Sequence, residues 1–242
     1  MERLGYLAIN DNDIMRYSRQ TMLAEIGKYG QEKLRNSSML VVGAGGLGSP
    51  LLMYLVSAGV GRISLVDDDK VSISNLQRQI LYAENDLGFS KAERAFNRLK
   101  AMNSDCNITF HNERFTSENA ERIATGHDII IDGSDNLSTR YVLDNVSKKL
   151  NIPYLYGAVS GWRGQFSLFN TEKSGSYSDL FPDFDSQADT VAVGVVGCVV
   201  GITASFMAAE AIKYVLGIES DAVGHLVMID SMNNTIDKVK MF

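Results

Sequence analysis

The residues best suited to chemistry are charged groups arranged after one glycine-rich turn. Gly43, Gly45 and Gly48 give G-x-G-x-x-G within GAGGLGSP, with Gly46 beside them. Asp67, Asp68 and Asp69 close the apolar run that follows, and Ser74, Asn75 and Arg78 lie in SNLQR. Lys91 comes next, after GFS, and then Asp135 and Asn136 in GSDN. Glycine backbone can approach a phosphate, and a helix start offers N–H groups and a positive dipole. An acid about 20 residues on can bind ribose hydroxyls. Acid for ribose or metal, then cations for phosphates, is the charge order a nucleoside triphosphate needs. A nicotinamide dinucleotide carries fewer phosphate charges and has less use for so many cations. The plainer reading of the glycines is a tight strand–helix turn kept for packing. Each charged residue, taken alone, is more often simply surface. For Asp135 and Asn136 the plainer role is a helix cap. Arg16 and Arg19 stand three apart near the start of a helical stretch. A helix start disfavours cations, which leans towards a ligand or partner contact over a solvated face.

The elements that must carry these residues follow from apolar spacing. Residues 39–42 and 62–66 read as buried strands, joined by a helix over 49–58 that Gly59 and Gly61 stop. Helices over 91–102, 116–124 and 137–150 alternate with strands over 107–111, 127–132 and 153–159. Alternation of this kind makes a parallel sheet, with ligands outside the C-terminal strand ends, where GSDN falls. The pattern then changes. Residues 164–170 alternate as a strand that pairs antiparallel, and GHLVMID and NTIDKVKM form a hairpin across 231–234. A core helix spans 195–216. The expected fold is α/β: a Rossmann-like, mostly parallel sheet with helices on both faces, continuing into antiparallel C-terminal strands. One domain covers 1–242. Residues 1–12 are an N-terminal extension, Asp11 or Asp13 caps a helix reaching to about 37, and 171–190 form a long mobile crossover loop.

Composition narrows the class. The 242 residues are 45% hydrophobic and 21% charged, which is ordinary for a globular domain. A net charge of -6 argues against nucleic acid as partner. Cys106 and Cys198 make neither a ligand pair nor a disulfide framework, so a cytoplasmic location is expected. The first residues lack the basic start and apolar core of a signal peptide. The apolar run 191–216 is interrupted by Glu210 and Lys213 and reads as a core helix, not a membrane span. Within it, Cys198 is expected to be a small buried hydrophobe. His111, His127 and His225 are scattered and suggest no metal site.

RYSRQ at Arg16, GAGGLGSP, LVDDDKVSISNLQRQ, FSK and DGSDN together resemble the ThiF/MoeB/HesA family, the ubiquitin-activating-enzyme-like adenylyltransferases. The similarity runs over nearly the whole chain, including GVVGCVVGITASFMAAEAIKYVLG. The resemblance implies ATP-dependent adenylation of the C-terminal glycine carboxylate of a small ubiquitin-fold sulfur carrier protein ending in Gly-Gly, of the thiamine or molybdopterin type, with release of pyrophosphate. Gly46 would lie under the phosphates, with Gly43 and Gly45 in the same loop, and Asp67 would bind ribose beside Asp69. Ser74, Asn75, Arg78 and Lys91 would line the nucleotide. Asp135 would hold Mg²⁺, with Asn136 beside it, and Arg16 would reach the partner subunit's site in a homodimer. A separate sulfurtransferase is a further implied partner. Attack of one anion on another needs neutralisation and positioning more than a protein base. The chain departs from many relatives at their two C-x-x-C zinc pairs. Ser176 and Asp179 stand at the first, the second has no counterpart before KVKMF, and no zinc is expected. Thr190 stands where some relatives carry a reactive cysteine. Three alternatives remain: a specialised relative acting on a different small protein or peptide, an NAD-dependent oxidoreductase, and a non-catalytic scaffold.

Overall fold

Eight strands share one sheet. They are β1 (Ser38–Val42), β2 (Arg62–Val66), β3 (Asn107–His111), β4 (Ile129–Asp132), β5 (Tyr154–Ser160), β6 (Arg163–Phe169), β7 (His225–Asp230) and β8 (Thr235–Lys240). In space the order is β3-β2-β1-β4-β5-β6-β7-β8. The first five in sequence pair parallel and the last three join antiparallel, the sheet expected from the residue pattern. This is a computed structural model that describes residues 8–182 and 194–241.

Burial explains the strand sequences. All five residues of β1 are buried, because both sheet faces are covered there. Alternate residues point to opposite faces, so Met39 and Val41 join one core cluster and Leu40 and Val42 the other. β8 lies at the edge, exposed at every position, and its Asp237, Lys238 and Lys240 discourage further pairing. Asn234, at φ +55°, turns the β7–β8 hairpin.

The helices are α1 (Asp11–Arg16), α2 (Ser18–Thr21), α3 (Gly27–Asn36), α4 (Gly48–Ser57), α5 (Lys91–Met102), α6 (Ala120–Ala124), α7 (Leu137–Leu150), α8 (Tyr177–Leu180) and α9 (Gly197–Leu216). α9 is long and apolar enough to cross a membrane by composition, but half of that stretch is buried, packed on α4, β5 and β6. Its large apolar side chains buried there, Val199, Val200 and Met207, contribute about 1.5–3 kcal/mol each.

Several expectations change. The extension does not reach residue 12 as loose chain: Ile9 is buried, and Asn10, not Asp11 or Asp13, caps α1. Asp13 returns the bond to the Asn10 N–H, so the acid occupies the third helical position of a capping box. The single helix to residue 37 is three, because the chain turns at Tyr17, held by Asn103, and Gly27 takes φ +53°. The helix expected over 116–124 starts at Ala120, because Asn119 Oδ1 accepts the Thr116 N–H in a turn. Residues 171–182 are not a featureless loop. Ser176 and Asp179 cap α8 reciprocally, and Tyr177 is buried against Tyr156 and Phe181. The rest of the expected mobile loop, with Thr190, lies outside the described residues. Cys198 is exposed, because it projects from the first turn of α9 away from the face that buries Val199 and Val200.

Candidate functional site

Parallel strands lead away from β1 in both directions, through β2 and through β4. That reversal opens a crevice at their C-terminal ends, where open α/β sheets bind ligands. The glycine turn fills one side. The Gly43 N–H donates to the Val66 carbonyl (2.8 Å) with φ at +96°, a value that favours glycine. A Cβ on Gly43 would come within 2.5 Å of the Gly133 carbonyl, so the loop after β1 and the loop after β4 touch backbone to backbone. A Cβ on Gly48 would strike the Gly43 carbonyl, which is why α4 can begin directly under the turn. No side chain caps α4. Its Ser49 and Leu51 N–H groups donate to the Gly45 and Leu47 carbonyls, so what the helix start offers the crevice is its dipole.

The acidic side follows β2. Asp67 Oδ2 accepts the Ala44 N–H (2.8 Å) and Oδ1 the Asp69 N–H (2.9 Å). Burial raises the Asp67 carboxyl above its usual range, and nearby Lys91 works against that rise. Lys91 opens α5 with its side chain only 5% exposed, and Nζ meets Asp69 Oδ2 at 2.8 Å. Asp69 is 69% exposed, so the salt bridge has one wet end. Such a cation is buried at its stem and can exchange a surface carboxylate for a phosphate.

The SNLQR segment forms a short turn. The Asn75 side chain accepts the Ser72 N–H (3.1 Å), Ser74 is exposed, and Arg78 donates to the Ser74 carbonyl (3.0 Å). The Arg78 stem packs near Gly46, and Val200 of α9 lies beneath the same glycine. Gly43, Gly45, Gly46, Asp67, Asp69, Arg78 and Lys91 therefore meet around one loop. Asp135 stands exposed on the facing loop after β4. Asn136 has the plainer role: its Oδ1 accepts the Thr139 N–H (2.9 Å) as N-cap of α7. Arg16 is not brought to this crevice within one copy. It donates to the Met102 carbonyl (3.1 Å), at the opposite end of α5 from Lys91 and about 16 Å away along that helix.

Sequence reasoning missed the groups beneath the loops. Asp132 is fully buried. Burial raises its carboxyl above the usual range, against the pull of Arg140, Ser134 and Tyr154. Gln79 packs under Gly45, and Tyr82 donates to the Ala44 carbonyl (2.8 Å). One signal was available: a charge ending the apolar run IIID must find a partner. Further along, an open groove of about 490 Å³ lies by the end of β5, on the sheet face opposite α9, lined by Ser160, Arg163, Gln165, Asp230 and Asp237.

Fold and crevice together define a Rossmann-like α/β protein with a cation-lined crevice at the reversal point of its sheet. The chain belongs to the ThiF family, whose model matches residues 17–242. It is 42% identical over 230 residues to a probable molybdopterin-synthase adenylyltransferase of Porphyra purpurea, covering 93% of this chain and 60% of that one. It is 39% identical to the adenylyltransferase and sulfurtransferase MOCS3 of Aedes aegypti, covering 96% of this chain and 54% of that one. Against the sulfur carrier protein adenylyltransferase of Thermus thermophilus identity is 41%, with 94% and 87% covered. The chain thus spans little more than half the length of the first two relatives. Two solved structures share the fold: Escherichia coli MccB with ATP (TM-score 0.83, 22% identity, 96% of this chain and 72% of that one) and PaaA (TM-score 0.83, 19% identity, 97% and 84%).

Proposed function

We propose that this chain is a single adenylation domain that uses ATP to adenylate the C-terminal glycine carboxylate of a small sulfur carrier protein, releasing pyrophosphate. The observation that carries the reading is the convergence of the glycine turn, Asp67, Arg78 and Lys91 opposite Asp135 at the sheet's reversal point. The names of the relatives support the carrier as substrate, because two of them specify molybdopterin synthase or a sulfur carrier protein.

Each residue then has a role. The N–H groups of the turn bind phosphate, with the dipole of α4 behind them. Asp67, held by the Ala44 and Asp69 N–H groups, is left to accept from the ribose hydroxyls. Arg78 and Lys91 neutralise charge on the phosphates as the carboxylate oxygen attacks the α-phosphorus and the bond to pyrophosphate breaks. Ser74 and Asn75 shape the wall beside Arg78. Among the described residues no group of three or more acids, histidines or cysteines could cage a metal. One exposed carboxylate opposite a phosphate floor nevertheless fits Mg²⁺, which is commonly held by one or two carboxylates plus substrate phosphates. Asp135 would hold the ion there. When bound, the ion supplies positive charge to the phosphate oxygens. An extended Gly-Gly tail has a path along the groove beside β5.

A homodimer completes the reading, with Arg16 serving the partner's site. Ile14, Met15, Met22 and Leu23 are exposed on the segment that carries Arg16, an apolar surface suited to a second copy. The test is ATP–pyrophosphate exchange with carrier proteins ending in Gly-Gly. Exchange that requires carrier and Mg²⁺ and is lost in Asp135→Ala supports the reading; NAD(H) binding without ATP binding sinks it. Arg16→Ala should also abolish exchange. Mixing the two inactive variants should restore about a quarter of the activity, since half the dimers are mixed and each holds one intact site. No recovery would place Arg16 outside the partner's site.

A further inference from the structure

Asp132 and Asn136 bracket the short loop that carries Asp135, and both are anchored. Asn136 caps α7. Asp132 spends both oxygens: Oδ1 accepts the Ser134 N–H (2.9 Å) and hydroxyl (2.6 Å), and Oδ2 accepts Arg140 Nε (3.3 Å) and the Tyr154 hydroxyl (3.0 Å). Arg140 lies one turn inside α7, its guanidinium 5.4 Å from the centre of the Tyr156 ring, so the ion pair also docks that helix on the end of β4. On the other side, the Gly133 N–H donates to the Val42 carbonyl (2.7 Å), and Gly133 sits against Gly43 and Gly48 with no room for a Cβ. The loop is therefore pinned from beneath by Asp132 and from the flank by the glycine turn. Ser134 is the last tied residue before Asp135, whose exposed side chain accepts a long contact from Asn136 (3.4 Å).

We propose that the buried Asp132–Arg140 pair is a positioning device: acting through Ser134, it holds the Asp135 loop in the geometry that receives the metal–nucleotide complex. The proposal rests on the adenylation reading for its catalytic consequence, but not for the loop geometry itself. Neither residue touches substrate. A buried pair retained only for stability would have no reason to spend two of its four bonds on the loop that bears Asp135. Hydrophobic residues can fill such space as well.

Two variants separate positioning from folding. Asp132→Asn keeps size but places an amide where Arg140 needs an acceptor. Ser134→Ala leaves the ion pair intact and cuts the hydroxyl tie. Deuterium exchange of the amides at 133–136 is read first. Both variants should speed it, Asp132→Asn by tenfold or more, while the amides of β4 stay protected. In ATP–pyrophosphate exchange both should lower kcat and raise the Mg²⁺ concentration for half-maximal rate about fivefold, with KM for ATP nearly unchanged. Unchanged deuterium exchange at 133–136 in two folded variants overturns the proposal, whatever the activity. Faster loop exchange with unaltered kcat and Mg²⁺ dependence overturns its catalytic part. A wild-type protein that exchanges no pyrophosphate with any carrier sinks the adenylation reading instead and leaves the deuterium result to decide the positioning.

Discussion

Gly43→Ala probes the contact between the two loops that frame the crevice. Two costs follow from the structure. At φ +96° a Cβ is strained, at about 1–2 kcal/mol. The new methyl would also lie 2.5 Å from the Gly133 carbonyl, against ordinary contact of 3.4 Å, so the loops must part by about 0.9 Å. Overpacking of that size costs about 1–3 kcal/mol. The sum, about 3 kcal/mol, lowers Tm by about 10 °C in a domain of this length. The displacement passes straight to Ser134 and Asp135, and a misplacement of about 1 Å at a reacting centre costs about 100-fold in rate. Gly217→Ala is the control: φ is +75° at the end of α9, yet nothing lies within 4 Å, so only the backbone strain remains. Thermal melts and ATP–pyrophosphate exchange per folded molecule are measured for both. Gly217→Ala should lose a few degrees and no activity. Equal exchange rates in the two variants would refute the reasoning, because close approach of the loops would then not position the site.

Other outcomes follow from single buried groups. Burial lowers the His127 pKa to about 4, while its bond to the Ala124 carbonyl resists. The folded state therefore binds fewer protons than the unfolded one between about pH 6.5 and 4, and stability should fall as pH falls through that window, by about 3 kcal/mol, then level off. Urea melts across that range should show the loss, and His127→Asn should flatten it; an unchanged slope would assign the loss elsewhere. Burial pushes the Cys106 thiol up to about 12, with Lys100 pulling weakly the other way, whereas Cys198 is exposed. An aromatic disulfide at pH 8 should therefore titrate one thiol quickly and the second only in urea; two fast thiols would contradict the burial of Cys106.

Much of the architecture was legible in local pattern. Apolar runs of four to six residues read as strands because β1, β2 and β4 are buried on both faces. The glycine turn was legible because close backbone approach leaves a compositional trace, and the positions of Lys91 and Asp135 because one opens a helix and the other follows a strand. Asn136 was legible in its plainer role, because a helix cap is a local contact: its Oδ1 accepts the Thr139 N–H. Where reading failed, a contact between distant residues decided. Asn103 holds Tyr17 across 86 residues and turns the N-terminal helix. Cys198 looked buried in an apolar run, yet only packing on α4 and the sheet decides which stripe of α9 faces inward.

The glycine turn after β1 shows the same division. Residue types and spacing alone determined that a glycine turn stands at Gly43–Gly48, that an acid follows it and that cations come later, because turn glycines, strand-end acids and helix-start cations are properties of short segments. Tertiary structure alone decided that Gly43 rests on Gly133, that Lys91 is buried while Asp69 stays wet, and that Asp132 and Arg140 hold the Asp135 loop from below. Those are contacts between elements that only packing sets side by side, and a buried charge is tolerable only where such a contact supplies its partner.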